Sequence, residues 1–243
     1  MSLDLESVAT PKAVGILGMH RSGTSCLSGC LEERGLYLGV VSNSAPNNLK
    51  GNKENLEFRA INDVVLAMSG GSWDLPPESL VWDNELRDRR DACIAQYPSS
   101  ETWGFKDPRT LLTVPFWEEA GIVINWVGTF RHPACVAASL AARPRLKPAT
   151  PNLDLWKAYN QKLLQYAQEF QMPIICFDLP GDVYLATVQK MANHLGLKKS
   201  SPSEAEFFEE TLRHRHFEDP SNDQCSAEYI DLYNELLSHA LVA

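Results

Sequence analysis

The sequence predicts an α/β fold, a parallel β-sheet flanked by helices, on three observations. Four apolar, strand-like runs (Ala13–Leu17, Thr102–Phe105, Ile122–Phe130 and Ile174–Phe177) alternate with helical patterns. That order builds a parallel sheet covered by helices. The first run passes into Gly18-Met19-His20-Arg21-Ser22-Gly23-Thr24-Ser25, a glycine-bracketed loop that leads into a helical stretch. The chain has 243 residues and is 44% hydrophobic, which suits one domain with a substantial core. A single domain over 1–243 is expected, with its core at about 13–197 and a helical extension over 198–243.

The elements follow in order. Cys26 to Arg34 reads as a helix stopped by Gly35. Leu56, Ala60, Val64 and Met68 recur every four residues and mark an amphipathic helix from about Glu54 to Met68. Gly70-Gly71 ends it, and Pro76-Pro77 opens an irregular stretch. Asp83 to Tyr97 is charged and reads as a surface helix. Val136 to Ala142 is helical after Pro133. Arg143 to Asn152, with three prolines and Arg143, Arg145 and Lys147, reads as an exposed basic loop. Leu153 to Phe170 is helical and ends before Met172-Pro173. Asp182 to Leu195 is helical up to Gly196, and Ser226 to Leu241 forms the last helix.

Composition excludes several classes. A formal charge of −9 argues against nonspecific nucleic-acid binding, although a local cationic pocket can coexist with an acidic exterior. No apolar run approaches the roughly 20 residues that span a bilayer. Met1 to Lys12 is polar and acidic and lacks the apolar core of a signal peptide. The six cysteines are scattered without a C-x-x-C pair. They read as buried thiols in a reducing, cytoplasmic setting, and no metal site is expected.

The first loop carries the strongest chemical signal. Gly18 and Gly23 have the spacing of a Walker loop, but Thr24 stands where that loop has its Lys. The nearest cation is Arg21. Converging backbone N–H groups and a helix N-terminus suit an anion, so the loop fits a phosphate ester without conventional ATP·Mg chemistry. A plain glycine turn is the competing explanation. It has no need of a cation and the three hydroxyls of Ser22, Thr24 and Ser25. Two further segments lie at strand ends, where open α/β sheets bind ligands. Trp103-Gly104-Phe105-Lys106-Asp107-Pro108-Arg109 offers Lys106, or else only a solvated Lys–Asp pair. Thr129-Phe130-Arg131-His132-Pro133 is followed by Ser139, eight residues after Arg131. If a helix follows Pro133, both residues can face one phosphate. Otherwise Arg131 makes a helix-start ion pair and Ser139 is a surface hydroxyl.

Together these segments resemble the sulfotransferases that use 3′-phosphoadenosine 5′-phosphosulfate (PAPS), especially the bacterial carbohydrate- and lipid-type branches, with their P-loop-like nucleotide hydrolase fold. Arg21-Ser22-Gly23-Thr24-Ser25 looks like the family's 5′-phosphosulfate loop. Arg131-His132-Pro133 with Ser139 looks like its 3′-phosphate motif, and Phe105-Lys106-Asp107-Pro108 like its second-strand motif. Ile175-Cys176-Phe177-Asp178-Leu179 with His194-Leu195-Gly196-Leu197 resembles the last strand–helix unit. The resemblance spans about Ala13 to Leu197. It departs at Pro108, where cytosolic members have a catalytic His, and at Cys26, where they have a Trp. Their C-terminal Arg-Lys-Gly loop is absent, and Leu212-Arg213-His214-Arg215-His216 is the only basic cluster near that point.

The resemblance implies the following roles. The backbone of Ser22, Gly23, Thr24 and Ser25 would hold the 5′-phosphate, and Arg131 with Ser139 the 3′-phosphate. Arg21 and Lys106 would stabilise charge at the transferred sulfo group. Lys50-Gly51-Asn52-Lys53-Glu54-Asn55-Leu56-Glu57-Phe58 resembles a bacterial Gly-x-x-Glu-x-x-x-Phe pattern whose Glu is a proposed base, which points to Glu54 at the start of the second helix. A first-turn carboxylate is also favoured by the helix dipole alone, and Glu57 and Asp107 are the alternative bases. Adenosine 3′,5′-bisphosphate (PAP) would be the product and no metal would be needed. The acceptor would be a hydroxyl of a carbohydrate, lipid or small alcohol, bound by 36–50, 69–83 and 143–152 with Trp73 and Trp82. The competing functions are a P-loop kinase-like phosphotransferase, with Asp107 as its Mg²⁺ carboxylate, and a non-catalytic bisphosphate-binding module.

Overall fold

The computed structural model describes residues 13–43, 48–142, 148–198, 207–212 and 225–243. The elements run β1 (Ala13–Leu17), α1 (Thr24–Glu32), α2 (Leu56–Met68), α3 (Asn84–Ile94), β2 (Trp103–Lys106), α4 (Thr110–Glu118), β3 (Ile124–Phe130), α5 (Pro133–Ala141), α6 (Asn152–Glu169), β4 (Ile174–Cys176) and α7 (Gly181–His194). A short 3₁₀ turn (Glu210–Leu212) and α8 (Ala227–His239) complete it. The four strands form one parallel sheet in the order β2-β1-β3-β4. Val14 lies opposite Gly104 on one side and Asn125 on the other, and Phe130 opposite Cys176.

Alternation along the strands divides the core. Ala13 and Leu17 of β1, Trp126 and Phe130 of β3, and Trp103 and Phe105 of β2 face a cluster built with Phe58, Trp117 and Trp156. Val14, Ile16, Val127 and Ile175 face the other cluster, with Leu27 and Leu31 of α1 and Tyr184 and Val188 of α7. Both faces are covered, so the strands read as continuous apolar runs. Beyond α8, Leu241 N–H donates to Ile174 O at 2.8 Å, so the C-terminal tail pairs with the outer strand.

The second helix starts at Leu56, not Glu54, because Asn55 caps it: the Asn55 side chain accepts from the N–H groups of Glu57 and Phe58. The stripe that betrays this helix faces outward, with Leu56 68% and Met68 43% exposed. Its buried face carries Phe58, Ile61, Asn62, Val65 and Leu66. Between Lys106 and β3 the alternation implies a helix but the sequence gives it no bounds; α4 runs there with Pro115 inside it. Thr110 to Val114, Phe116 and Trp117 are all buried, and only Pro115 and Glu118 are exposed, so the polar stripe is too narrow to show a helical period. β2 also extends one residue further than expected, so Lys106 is its last residue.

A buried Asn ties these parts together. Asn62 Nδ2 donates to Asp107 Oδ2 (2.9 Å) and Thr110 Oγ1 (3.0 Å), while its Oδ1 accepts from Thr113 Oγ1 (2.7 Å) and Trp117 Nε1 (2.9 Å). This fixes α2, which follows Glu54, against α4 and the loop after Lys106.

Candidate functional site

The first loop takes the backbone shape that its glycines allow. Gly18 has φ 149°, and a Cβ there would lie 2.4 Å from Thr129 O. Gly23 has φ 86°, and a Cβ there would lie 2.3 Å from the Phe177 ring. Neither position accepts a side chain without movement. Thr129 Oγ1 donates to Ser22 O at 3.1 Å and holds the loop against β3. Gly23 is the N-cap of α1 and provides no side-chain cap, and no acidic residue lies in the first turn. The N–H groups of that turn have no intrahelical partner and carry the positive end of the helix dipole. Ser22 Oγ is buried and makes no hydrogen bond among the described residues. This is the donor set that an oxyanion requires.

Beside it stands an ion pair. Lys106 Nζ, 2% exposed at the end of β2, donates to Glu54 Oε1 (2.9 Å) and to Ser25 Oγ (3.2 Å). Ser25 Oγ in turn donates to Asn52 O at 3.0 Å. Burial lowers the Lys106 pKa from its usual 10.5, and the facing Glu54 carboxylate opposes that shift. Glu54 sits on a stiff mount: Lys53 N–H donates to Ser42 O and Ser42 N–H to Glu54 O, each at 3.0 Å. Lys53 has φ 55°. Its ammonium bonds Asn43 Oδ1 and Glu32 Oε2, each at 2.8 Å.

The two alternative bases are placed elsewhere. Glu57 is exposed and faces Arg89 of α3 at 3.5 Å. Asp107 is fully buried, accepting from Asn62, from Arg109 N–H (3.2 Å) and from Arg109 Nη1 (3.0 Å).

Arg131 and Ser139 were expected to face one phosphate, and each has a partner. Arg131 Nε pairs with Asp178 Oδ1 at 3.0 Å, and its guanidinium lies 5.3 Å from the Phe177 ring centre. Asp178 Oδ2 accepts the His132 N–H at 2.8 Å. Trp156 Nε1 donates to Arg131 O at 2.9 Å. Ser139 Oγ accepts from Arg21 Nε at 2.8 Å, so it joins α5 to the first loop. His132 caps α5, its Nδ1 accepting the Ala134 N–H at 3.2 Å. Burial lowers the His132 pKa below its usual 6.5, against the opposing pull of Asp178.

Trp73 packs edge-on against His20 of the first loop at 4.7 Å and accepts from Tyr159 OH through its backbone O at 2.7 Å. Trp82 instead bonds Glu119 and packs on Phe116. Arg143, Arg145, Lys147, Arg213 and Arg215 lie outside the described residues. Among the described residues, no group of three His, Cys, Asp or Glu side chains could hold a metal ion, and no helix is long and apolar enough to cross a membrane.

Sequence reasoning missed Asp178 and the Asn52–Lys53 mount. The available signal for Asp178 was its place just past a parallel strand's C-terminal end, where side chains converge on ligands. The ends of β1, β2 and β3 bring Arg21, Lys106 and Arg131 to one edge of the sheet, around an uncapped helix N-terminus, with one carboxylate, Glu54, held against the buried lysine. Comparison with models of protein families, with curated proteins and with solved structures finds no match for this chain.

Proposed function

We propose that the protein is a PAPS-dependent sulfotransferase of P-loop-like fold that moves a sulfo group to a hydroxyl of a carbohydrate, lipid or small alcohol, and that it works in the cytoplasm. The observation that carries this reading is the chain Glu54–Lys106–Ser25 at the uncapped start of α1: a carboxylate, a buried cation and a hydroxyl beside an anion site.

In this reading the first-turn N–H groups of α1 and the Ser22 hydroxyl receive the 5′-phosphate, and Arg131 the 3′-phosphate. The acceptor hydroxyl inserts between Glu54 and Lys106. Glu54 takes its proton as the acceptor oxygen forms a bond to sulfur. The bond from sulfur to the bridging oxygen breaks, and PAP leaves. Lys106 and Arg21 face the negative charge that builds on the sulfo and bridging oxygens, a preorganised electrostatic contribution. Ser139 holds the Arg21 side chain against α5 until the donor arrives. General-base help of this kind contributes about 10²–10⁴-fold, and the remainder is positioning.

The phosphotransferase alternative needs a carboxylate for Mg²⁺. Its candidate, Asp107, is already engaged by Arg109 and Asn62. The deciding experiment incubates the protein with sulfur-radiolabelled PAPS and a panel of sugar, lipid and phenolic hydroxyls. Label transfer, with PAP released in equal amount, supports the proposal. Tight PAP binding without transfer to any acceptor, and without slow PAPS hydrolysis, favours the non-catalytic module.

A further inference from the structure

Phe177 and Asp178 follow directly on β4 and touch both halves of the site. The chain leaves the sheet at Phe177, whose N–H still donates to Phe130 O at 2.8 Å. The Phe177 ring then lies over the first loop, filling the space that a Cβ on Gly23 would need, and also faces the Arg131 guanidinium. Asp178 uses both oxygens: Oδ1 pairs with Arg131 Nε, and Oδ2 accepts the His132 N–H at the start of α5. One dipeptide therefore fixes the side chain of Arg131, the backbone beside it, and the loop from which Arg131 must keep its distance.

We propose that Phe177 and Asp178 are positioning residues that set donor specificity, holding Arg131 at a fixed separation from the first loop so that the site selects a nucleotide phosphorylated on both its 3′ and 5′ oxygens. This rests on the sulfotransferase reading. The ion pair is made through Nε, and it fixes the plane in which the Nη edge of the guanidinium lies. An arginine held in place by a carboxylate and a ring has already lost the rotamer freedom that binding would otherwise remove. The opposing effect is charge: the Asp178 carboxylate partly neutralises Arg131 and repels a phosphate. Arg131 and Asp178 side chains are only 8% and 10% exposed, so they are held by their surroundings and each other rather than by water. Burial strengthens the Asp178–phosphate repulsion as well as the Asp178–Arg131 attraction, and Asp178→Asn reads which of the two governs.

The test is calorimetry of PAP and of AMP, which lacks the 3′-phosphate, on wild type, Asp178→Asn, Phe177→Leu and Phe177→Tyr, with thermal unfolding as a check on folding. Wild type is expected to prefer PAP strongly. Asp178→Asn and Phe177→Leu should each reduce the PAP-to-AMP affinity ratio by about tenfold while AMP binding stays within about twofold. Phe177→Tyr, which keeps the ring, should retain the ratio. If Asp178→Asn does not fold, the two Phe177 variants carry the same comparison. An unchanged ratio overturns the proposal, as does equal weakening of both ligands, which marks a merely structural role. A raised ratio also overturns it, because Asp178 would then be a competitor of the phosphate. A wild type without preference for PAP overturns the sulfotransferase reading itself, and the positioning role falls with it.

Discussion

Glu54 Oε1 lies 2.9 Å from Lys106 Nζ, both side chains are buried, and they come from the end of β2 and from the segment just before α2. A buried pair of this kind recovers little net stability, because two charges have been taken out of water. Under the proposed reaction the pair matters for what the two groups do when parted. Lys106 is held next to Ser25 at the start of α1, and Glu54 is held by the Ser42 backbone, so a small hydroxyl entering between them meets a base and a cation together.

Glu54→Gln keeps the shape and removes the basicity. It should lower kcat by about 10²-fold or more and leave PAP affinity nearly unchanged. Stopped assays with saturating donor, alongside calorimetry, separate the two quantities. A variant with near-native kcat would show that the base is another group.

Arg131→Ala should cost about 1.5–3 kcal/mol in PAP binding, the range for a hydrogen bond to a charged group. The same substitution should leave AMP affinity almost unaltered. Equal losses for the two nucleotides would place Arg131 in the scaffold rather than at the 3′-phosphate.

Turnover should persist in EDTA. Thr24 stands where a Walker loop has its Lys, and in the proposed reaction Arg21 and Lys106 take the part that Mg²⁺ plays in phosphoryl transfer. Activity lost in chelator and regained with Mg²⁺ would point to the phosphotransferase instead.

Much of the framework was legible because buried parallel strands are short apolar runs with sharp ends. The failures have physical causes. α4 is buried except at Pro115 and Glu118 and carries that proline inside it, so neither periodicity nor the usual helix signals bound it. The stripe of Leu56, Ala60, Val64 and Met68 has a true helical period, but a period identifies a helix and not the face it buries. Here the buried face includes the polar Asn62. Glu54 was readable as a residue but not in its setting. The Asn55 cap just after it puts its carboxylate outside the helix, and that cap was itself readable as an N-terminal signal. Arg21, Lys106, Arg131 and Ser139 stand out by type and spacing. Asp178, Asn52 and Lys53 do not, because their contacts join segments far apart in the chain.

Asn62→Ala should lower unfolding stability by about 3 kcal/mol, since it strips partners from the buried Trp117 Nε1 and Thr113 hydroxyl and from Asp107. Denaturant unfolding measures it. A cost below about 1 kcal/mol would mean that water replaces the lost amide.

His132 should make stability depend on pH in a defined direction. Its folded pKa is lowered by burial, more than the Asp178 carboxylate raises it. Between that lowered value and the unfolded value near 6.5, the unfolded chain binds a proton that the folded chain refuses, so stability falls as pH falls through this window. Above about pH 6.5 the penalty is absent, and below the folded value it is complete. Protonation also turns Nδ1 from the acceptor of the Ala134 N–H into a donor, which uncaps α5. His132→Asn keeps a capping acceptor and removes the titration. Urea unfolding from about pH 7.5 to 5 should therefore show wild type losing stability relative to His132→Asn as the solution is acidified. Parallel curves for the two proteins would show that His132 takes its proton as readily folded as unfolded, and the cap of α5 would then play no part in the acid sensitivity of the site.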